Sequence, residues 1–260
     1  MARLSEFEGG RLLPVRSQLV LSSTSITVVD EGWAIVAGMG GGAGGNRSYG
    51  PGNSAPWGVK AFSVAAGDVI GFVIGAGGQA RTTENIPSAP GGNTLITVNG
   101  NVLMTCQGGD AGPNTAQGVS PVTAAIMGAD YWTKGRQPQG NLSYGNLAGA
   151  AVDVGNGTSG NGSTGDHAVD LYGTLVGVPI GSYFWPFDIS FHGGQPGAPG
   201  VGSSVGSSPP AGLFGGGSGH SDGSTHTLPG RGASAGRTGY NIMPRNGGAG
   251  LAHLRLFKRV

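Results

Sequence analysis

The chain has 260 residues, of which 56 are glycine and only 10% are charged; 14 Lys+Arg against 13 Asp+Glu leave a net charge of +1. Such a balance, with no Lys/Arg run, argues against a nucleic-acid or anionic-membrane binder, which needs a basic footprint. No stretch approaches the roughly 20 consecutive apolar residues of a membrane-spanning helix, and the opening MARLSEFEGGRLLPVRSQ, with no long apolar run, does not read as a secretory signal.

Residues 1–17, of mixed polarity and containing Pro14, read as an arm of the kind that docks on a neighbouring subunit. Residues 18–29 (QLVLSSTSITVV) are rich in β-branched side chains and predict one or two strands. After a turn at 30–32, the run 33–45 (WAIVAGMGGGAGG) sets the pattern of the chain, a strand flowing straight into glycine. The join recurs at 69–78 (VIGFVIGAGG) and 101–109 (NVLMTCQGG), and reversed at 247–257 (GGAGLAHLRLF).

Residues 59–64 (VKAFSV), a turn at 65–68 (AAGD) and the strand from Val69 predict a hairpin. A second hairpin is predicted from 94–98 (TLITV) and 101–106 (NVLMTC), because Asn99-Gly100 supplies the two positive-φ residues of a type I′ turn. The single cysteine, Cys106, excludes an intrachain disulfide and, in the pattern VLMTC, reads as a small buried hydrophobe. Strand signals thin out over 107–250, and the strand at 251–257 has to return to the framework, since the tract before it cannot build its own core. The expected organisation is therefore an arm (1–17) and one domain (18–260), with a β-root at 18–106 closed by 251–257 and a glycine-rich insertion at 107–250.

Ordered glycine is expensive. Fixing each backbone costs ~1–2 kcal/mol and glycine loses more freedom than any other residue, while a helix interior disfavours it by about 1 kcal/mol against alanine. Polyproline II geometry suits it better, with three residues per turn and every N–H and C=O pointing sideways. Segments without side chains can approach closely enough to pair those groups laterally. Glycine at every third place (Gly38, Gly41 and Gly44; Gly194, Gly197 and Gly200; Gly212 and Gly215) supports short segments of this kind, and the broken period elsewhere excludes a continuous collagen helix.

The ordered set of these units resembles the glycine-rich domain of bacteriophage tail-fibre and tail-tip proteins. It comprises the strand into glycine at 34–45, the unit AGDVIGFVIGAGG at 66–78, the GGNT start and strand at 91–109, and the closing GGxGxx strand at 247–257. The closing strand departs from an aliphatic run in carrying His253 and Arg255. The resemblance implies a mainly β fold with little or no helix, a small antiparallel β-sandwich root joined to glycine-rich segments packed as polyglycine-type helices. It also implies a virion protein of the tail, acting at the cell exterior during attachment. Its partners would be other tail proteins and a host surface receptor, either a saccharide or an outer-membrane protein. The assembly would be a homotrimer or a monomer seated on a trimeric fibre. A purely structural tail-tip or baseplate role, and a glycine-rich extracellular structural protein, are the alternative readings.

Residues suited to chemistry are sparse. The series Gly38-x-Gly40-x-x-Ala43 matches a dinucleotide fingerprint in letter only, because no helix can follow it and no Asp or Glu lies between Glu31 and Asp68 to meet a ribose. With neither that site nor a GxxxxGK[ST] loop, no cofactor is expected. His220, Asp222 and His226 are metal-capable types, but nothing local orients the imidazoles, so they are weak candidates. Asp166, His167 and Asp170 have no GxSxG elbow beside them, and no enzyme activity is expected. The remaining candidates are aromatic. Tyr131, Trp132, Tyr144, Tyr183, Trp185 and Phe214 sit among turn-formers, where large amphipathic rings suit receptor contact. The opposing reading makes 182–191 (SYFWPFDISF) a core plug, above all through Phe184 and Phe187.

Overall fold

The computed structural model describes residues 12–45, 52–83, 86–111, 123–135, 167–168, 192–193 and 246–260. In chain order the strands are β1 (Leu12–Val20), β2 (Thr24–Thr27), β3 (Gly32–Met39), β4 (Trp57–Val64), β5 (Val69–Val73), β6 (Thr94–Val98), β7 (Asn101–Cys106), β8 (Ile126–Met127), β9 (Tyr131–Thr133), β10 (His167–Ala168), β11 (His192–Gly193) and β12 (Leu251–Arg259). No helix occurs among the described residues. The fold is mainly β, as the sequence predicts.

Ten strands form two five-stranded sheets, β1-β12-β3-β4-β9 and β2-β5-β6-β7-β8, each wholly antiparallel. Both contribute alternate residues to one core. Val20, Ala34, Val36, Val64, Leu254 and Leu256 from the first face Ile26, Ile70, Phe72, Ile96, Met104 and Ile126 from the second. Two sheets sharing one core in this way make a sandwich. β10 and β11 pair only with each other.

β1 takes in Leu12–Val20 as an edge strand on β12, so residues 12–17, read from sequence as part of an arm, are in the sheet. Residues 1–11 lie outside the described residues. Pro14 is compatible with this edge position, and the register shifts between Pro14 and Arg16. A missing N–H and an irregular ladder together blunt an exposed edge. β12 then fills the gap between β1 and β3, with Leu254 opposite both Gln18 and Val36.

The hairpin expected at 59–75 does not form. β4 pairs with β3 and β9, whereas β5 pairs with β2 and β6, so the chain crosses between sheets at 65–68. The turn chemistry explains the difference. Asp68 N–H donates to the Ala65 carbonyl at 3.1 Å, and of the two central residues only Gly67 has positive φ, at +92°. That is the type II pattern, whose twist splays the flanking strands instead of pairing them. Val28 stitches the crossing in place, its N–H donating to Asp68 O and its carbonyl accepting from Gly67 N–H.

Asn99-Gly100 behaves as read. Both residues have positive φ, +50° and +80°, and Val98 faces Asn101 across the two-residue loop. Asn99 also reaches back to the crossing: its Oδ1 accepts from Val69 N–H and its Nδ2 donates to Asp68, both at 2.8 Å. The Ala65 N–H first, and the Asn99 amide second, hold the Asp68 carboxyl below its ordinary value. Gly100→Ala is expected to cost about 1–2 kcal/mol, because alanine disfavours the left-handed region. A denaturant midpoint measured on both proteins checks it.

Cys106 is fully buried in the core, and burial pushes its thiol well up. It is expected to resist a thiol reagent in the native protein and to react once the chain is unfolded, the thiolate being the reacting form. Measured reaction rates with and without denaturant test this.

Candidate functional site

The two ends of the sandwich differ. One end carries the short connections at 28–31, 65–68 and 99–100, together with the start of β1 and the end of β12. At the other end β3, β5 and β7 run out into glycine, and β4, β6 and β12 begin from it. Six segments result, at 40–45, 52–56, 75–81, 88–93, 107–111 and 246–250, none of them helix or strand over these stretches apart from an isolated bridge at Arg81.

Their main-chain groups pair with one another. The segment at 40–45 is the hub: the N–H groups of Gly41 and Gly44 donate to Gly92 and Ala89, Gly42 donates to Gly248, and Ala43 donates to Asn53, at 2.8–3.0 Å. Carbonyls of the same segment accept from Gly109 (onto Gly41), Gly78 (onto Gly42) and Arg81 (onto Gly45), at 2.8–3.0 Å. Every one of the five other segments is therefore bonded to this one.

The spacing of the bonds gives the local geometry. Residues 41 and 44 share one neighbour, and 42 and 45 share another. In the surrounding shell Ala89 and Gly92 donate to Gln79 and Ala76, while Gly247 and Gly250 donate to Gly78 and Gly75. Each repeat is three residues, the period of polyproline II, so successive groups fan out to different neighbours. A β-ladder could not do this, because its period of two aims bonds to only two sides.

Glycine is required by what lies where a side chain would begin. A Cβ on Gly41 would strike the Ala76 carbonyl, one on Gly44 that of Gln79, one on Gly77 that of Gly247, and one on Gly91 that of Gly41. These obstacles are backbone, which cannot rotate aside. The period-three pair Gly41 and Gly44 thus faces one neighbouring segment, as the sequence pattern implies; Gly38, the third of that series, is instead a β3 residue facing Ile96, Met104 and Cys106.

Side chains at the segment ends secure the bundle to the sheets. In the GGNT unit, Asn93 Oδ1 accepts from Gly108 N–H at 3.1 Å and Thr94 Oγ1 accepts from Gly75 N–H at 3.0 Å. Asn246 Oδ1 accepts from Ala80 N–H at 2.7 Å. Asp110 binds Thr123 N–H at 2.6 Å, Thr123 Oγ1 at 2.7 Å and Ala124 N–H at 3.0 Å, drawing together the two ends of the excursion between them. The sequence shows Asn93 and Thr94 only as letters of the GGNT unit and gives no sign of Asp110 or Asn246, since the partners are 13 to 166 residues away.

The aromatic candidates are placed unevenly. Trp132 lies on β9 opposite Gly58, half-buried, and packs against the core cluster. Gly58 makes room for it and for Ile126, both of which a Cβ there would crowd. Tyr131 joins the same strand, opposite Val59. Tyr144, Tyr183, Phe184, Trp185, Phe187 and Phe214 lie outside the described residues, as do His220, Asp222 and His226. Among the described residues no group of three His, Cys, Asp or Glu could hold a metal ion. The Gly38–Ala43 run enters the hub of the bundle, with its main-chain groups already engaged by neighbouring segments. No helix among the described residues is long and apolar enough to cross a membrane.

Comparison with known protein families and with curated protein sequences finds no match to this chain.

Proposed function

We propose that this chain is a bacteriophage tail-fibre or tail-tip protein that presents loops beyond its glycine bundle to a receptor on the host cell. The observation that carries the reading is the hub segment at 40–45, bonded main chain to main chain to five others. An attachment protein has to hold its contact loops still, or binding would pay their ordering entropy. Laterally bonded glycine segments do that without side chains, and the excursions at 46–51, 84–85, 112–122 and 136–245 all leave from or beside them. The resemblance over 33–257 adds the tail context. Of the aromatic candidates, Tyr183, Trp185, Tyr144 and Phe214 are the ones proposed for receptor contact, whereas changes at Trp132 would disturb the core it packs on.

Two measurements test the proposal together. Antibody against the chain should label one end of phage tails, and the purified chain should bind host bacteria and compete with particle adsorption. Tyr183→Ala with Trp185→Ala should lower cell binding at least tenfold while leaving the circular dichroism spectrum unchanged. Labelled tails with no cell binding would leave only the structural tail role, and unlabelled particles would end the phage reading altogether.

A further inference from the structure

The two outer faces of the sandwich are unlike. On the first sheet most of the outward positions are themselves buried, including Met39, Trp57, Val59, Leu251 and His253, with Ser63 exposed near one end. On the second sheet they are open. The pairing registers put Val73, Leu95, Thr105 and Met127 in one row across β5 to β8, with Gly71, Thr97 and Val102 in the next and Thr27 beside Val69 at the margin. Val69, Val73, Val102 and Met127 are 38%, 50%, 60% and 55% exposed, on one surface.

Not one of these outward positions is charged. Exposed Val and Met scattered singly would need no comment, but an uncharged row spanning four strands is a contiguous patch of the sort that marks an interaction surface. Its centre is level: Gly71 has no side chain, and Thr97 leans across the gap, where its Oγ1 would lie 2.5 Å from a Cβ on Gly71.

We infer that this face binds a second copy of the same chain, sheet against sheet. Charge supports that occupant. A face with no charge meets its own image without like-charge repulsion and without stripping water from an ion, whereas it offers a foreign charged surface nothing to pair with. Two-fold stacking also lets identical Val and Thr rows interdigitate at the usual ~10 Å sheet spacing. Size sets the strength. Five strands at about 4.8 Å and some five residues at about 3.3 Å give a face of roughly 24 by 17 Å, so two stacked faces cover about 800 Å² in projection, below the roughly 1,200 Å² at which stable specific interfaces begin. Self-association is therefore weak and concentration-dependent.

Sedimentation of the full chain over a wide concentration range tests this. The mass should rise from one chain toward two at high micromolar concentration. Val73→Lys with Met127→Lys should keep it at one chain throughout, and Ser63→Lys, exposed on the outer side of the first sheet, should change nothing. If the lysine pair fails to fold, Val73→Thr with Val102→Thr retains β-branching and should weaken association by roughly tenfold. A wild-type chain that stays a monomer at all concentrations overturns the inference. So does an oligomer whose mass survives the folded variants.

Discussion

Replacing Gly41 by alanine is expected to lower stability by about 3–5 kcal/mol, combining overpacking of ~1–3 kcal/mol with loss of neighbouring hydrogen bonds worth about 1 kcal/mol each. The added methyl would meet the Ala76 carbonyl, so either the hub or the segment at 75–81 has to move. Movement of the hub strains the bonds that Gly41 makes to Gly92 and Gly109 and those next to it at Gly42 and Ala43. Alanine also restricts the unfolded chain, which favours folding by roughly 0.4–1 kcal/mol; the clash outweighs that gain and decides the sign. In a domain of this size the melting temperature should fall on the order of 10 °C. Val29→Ala, at a fully open position, should stay within about 0.5 kcal/mol of wild type. Thermal melts of the three proteins check the prediction, and an unchanged midpoint for Gly41→Ala would mean that the bundle does not hold the fold together.

The second large effect is a dependence on pH that His253 creates. It sits fully buried on β12, with Nε2 3.0 Å from Ser17 Oγ on β1. Burial first, and the neighbouring Arg255 charge second, lower its pKa from 6.5 to about 3. The sign follows from proton counting. Between those two values the unfolded chain takes up a proton on this imidazole and the native protein does not, so acid favours unfolding. Stability contributed by the neutral ring is complete above about pH 6.5 and declines as pH falls toward 3. The slope approaches about 1.4 kcal/mol per pH unit, on the order of 4 kcal/mol across the window. Asp68, whose carboxyl is also lowered, adds its own loss only near and below its ordinary value of 3.8. The difference between wild type and His253→Gln from pH 6.5 to 4 therefore isolates the histidine. Urea midpoints at half-unit intervals should diverge as wild type weakens, and parallel curves would show that the ring ionises freely in the native state.

A histidine and an arginine in the closing strand read, on sequence, as a departure from an aliphatic run and nothing more. Their consequence depends on β12 lying between β1 and β3 with its outward positions buried, Arg255 at 1% exposure and His253 at none. The polar letters at 93, 94, 110 and 246 likewise carry no signal by themselves, because each acts on a backbone N–H far along the chain.

What the amino-acid order determined alone is everything governed by neighbouring dihedrals. Asn99-Gly100 has to turn back on itself because both residues accept positive φ, the apolar runs have to be strands because glycine interrupts them too soon for helices, and glycine every third place suits a three-residue turn. Which sheet a strand joins is a different matter. Val59–Val64 and Val69–Val73 look like partners across a short turn, yet one positive φ at Gly67 in place of two sends them into opposite sheets, where Val28 secures the crossing. Only the tertiary structure decides that choice, and with it the hub at 40–45, because pairing energy is collected between segments as distant in the chain as Gly42 and Gly248.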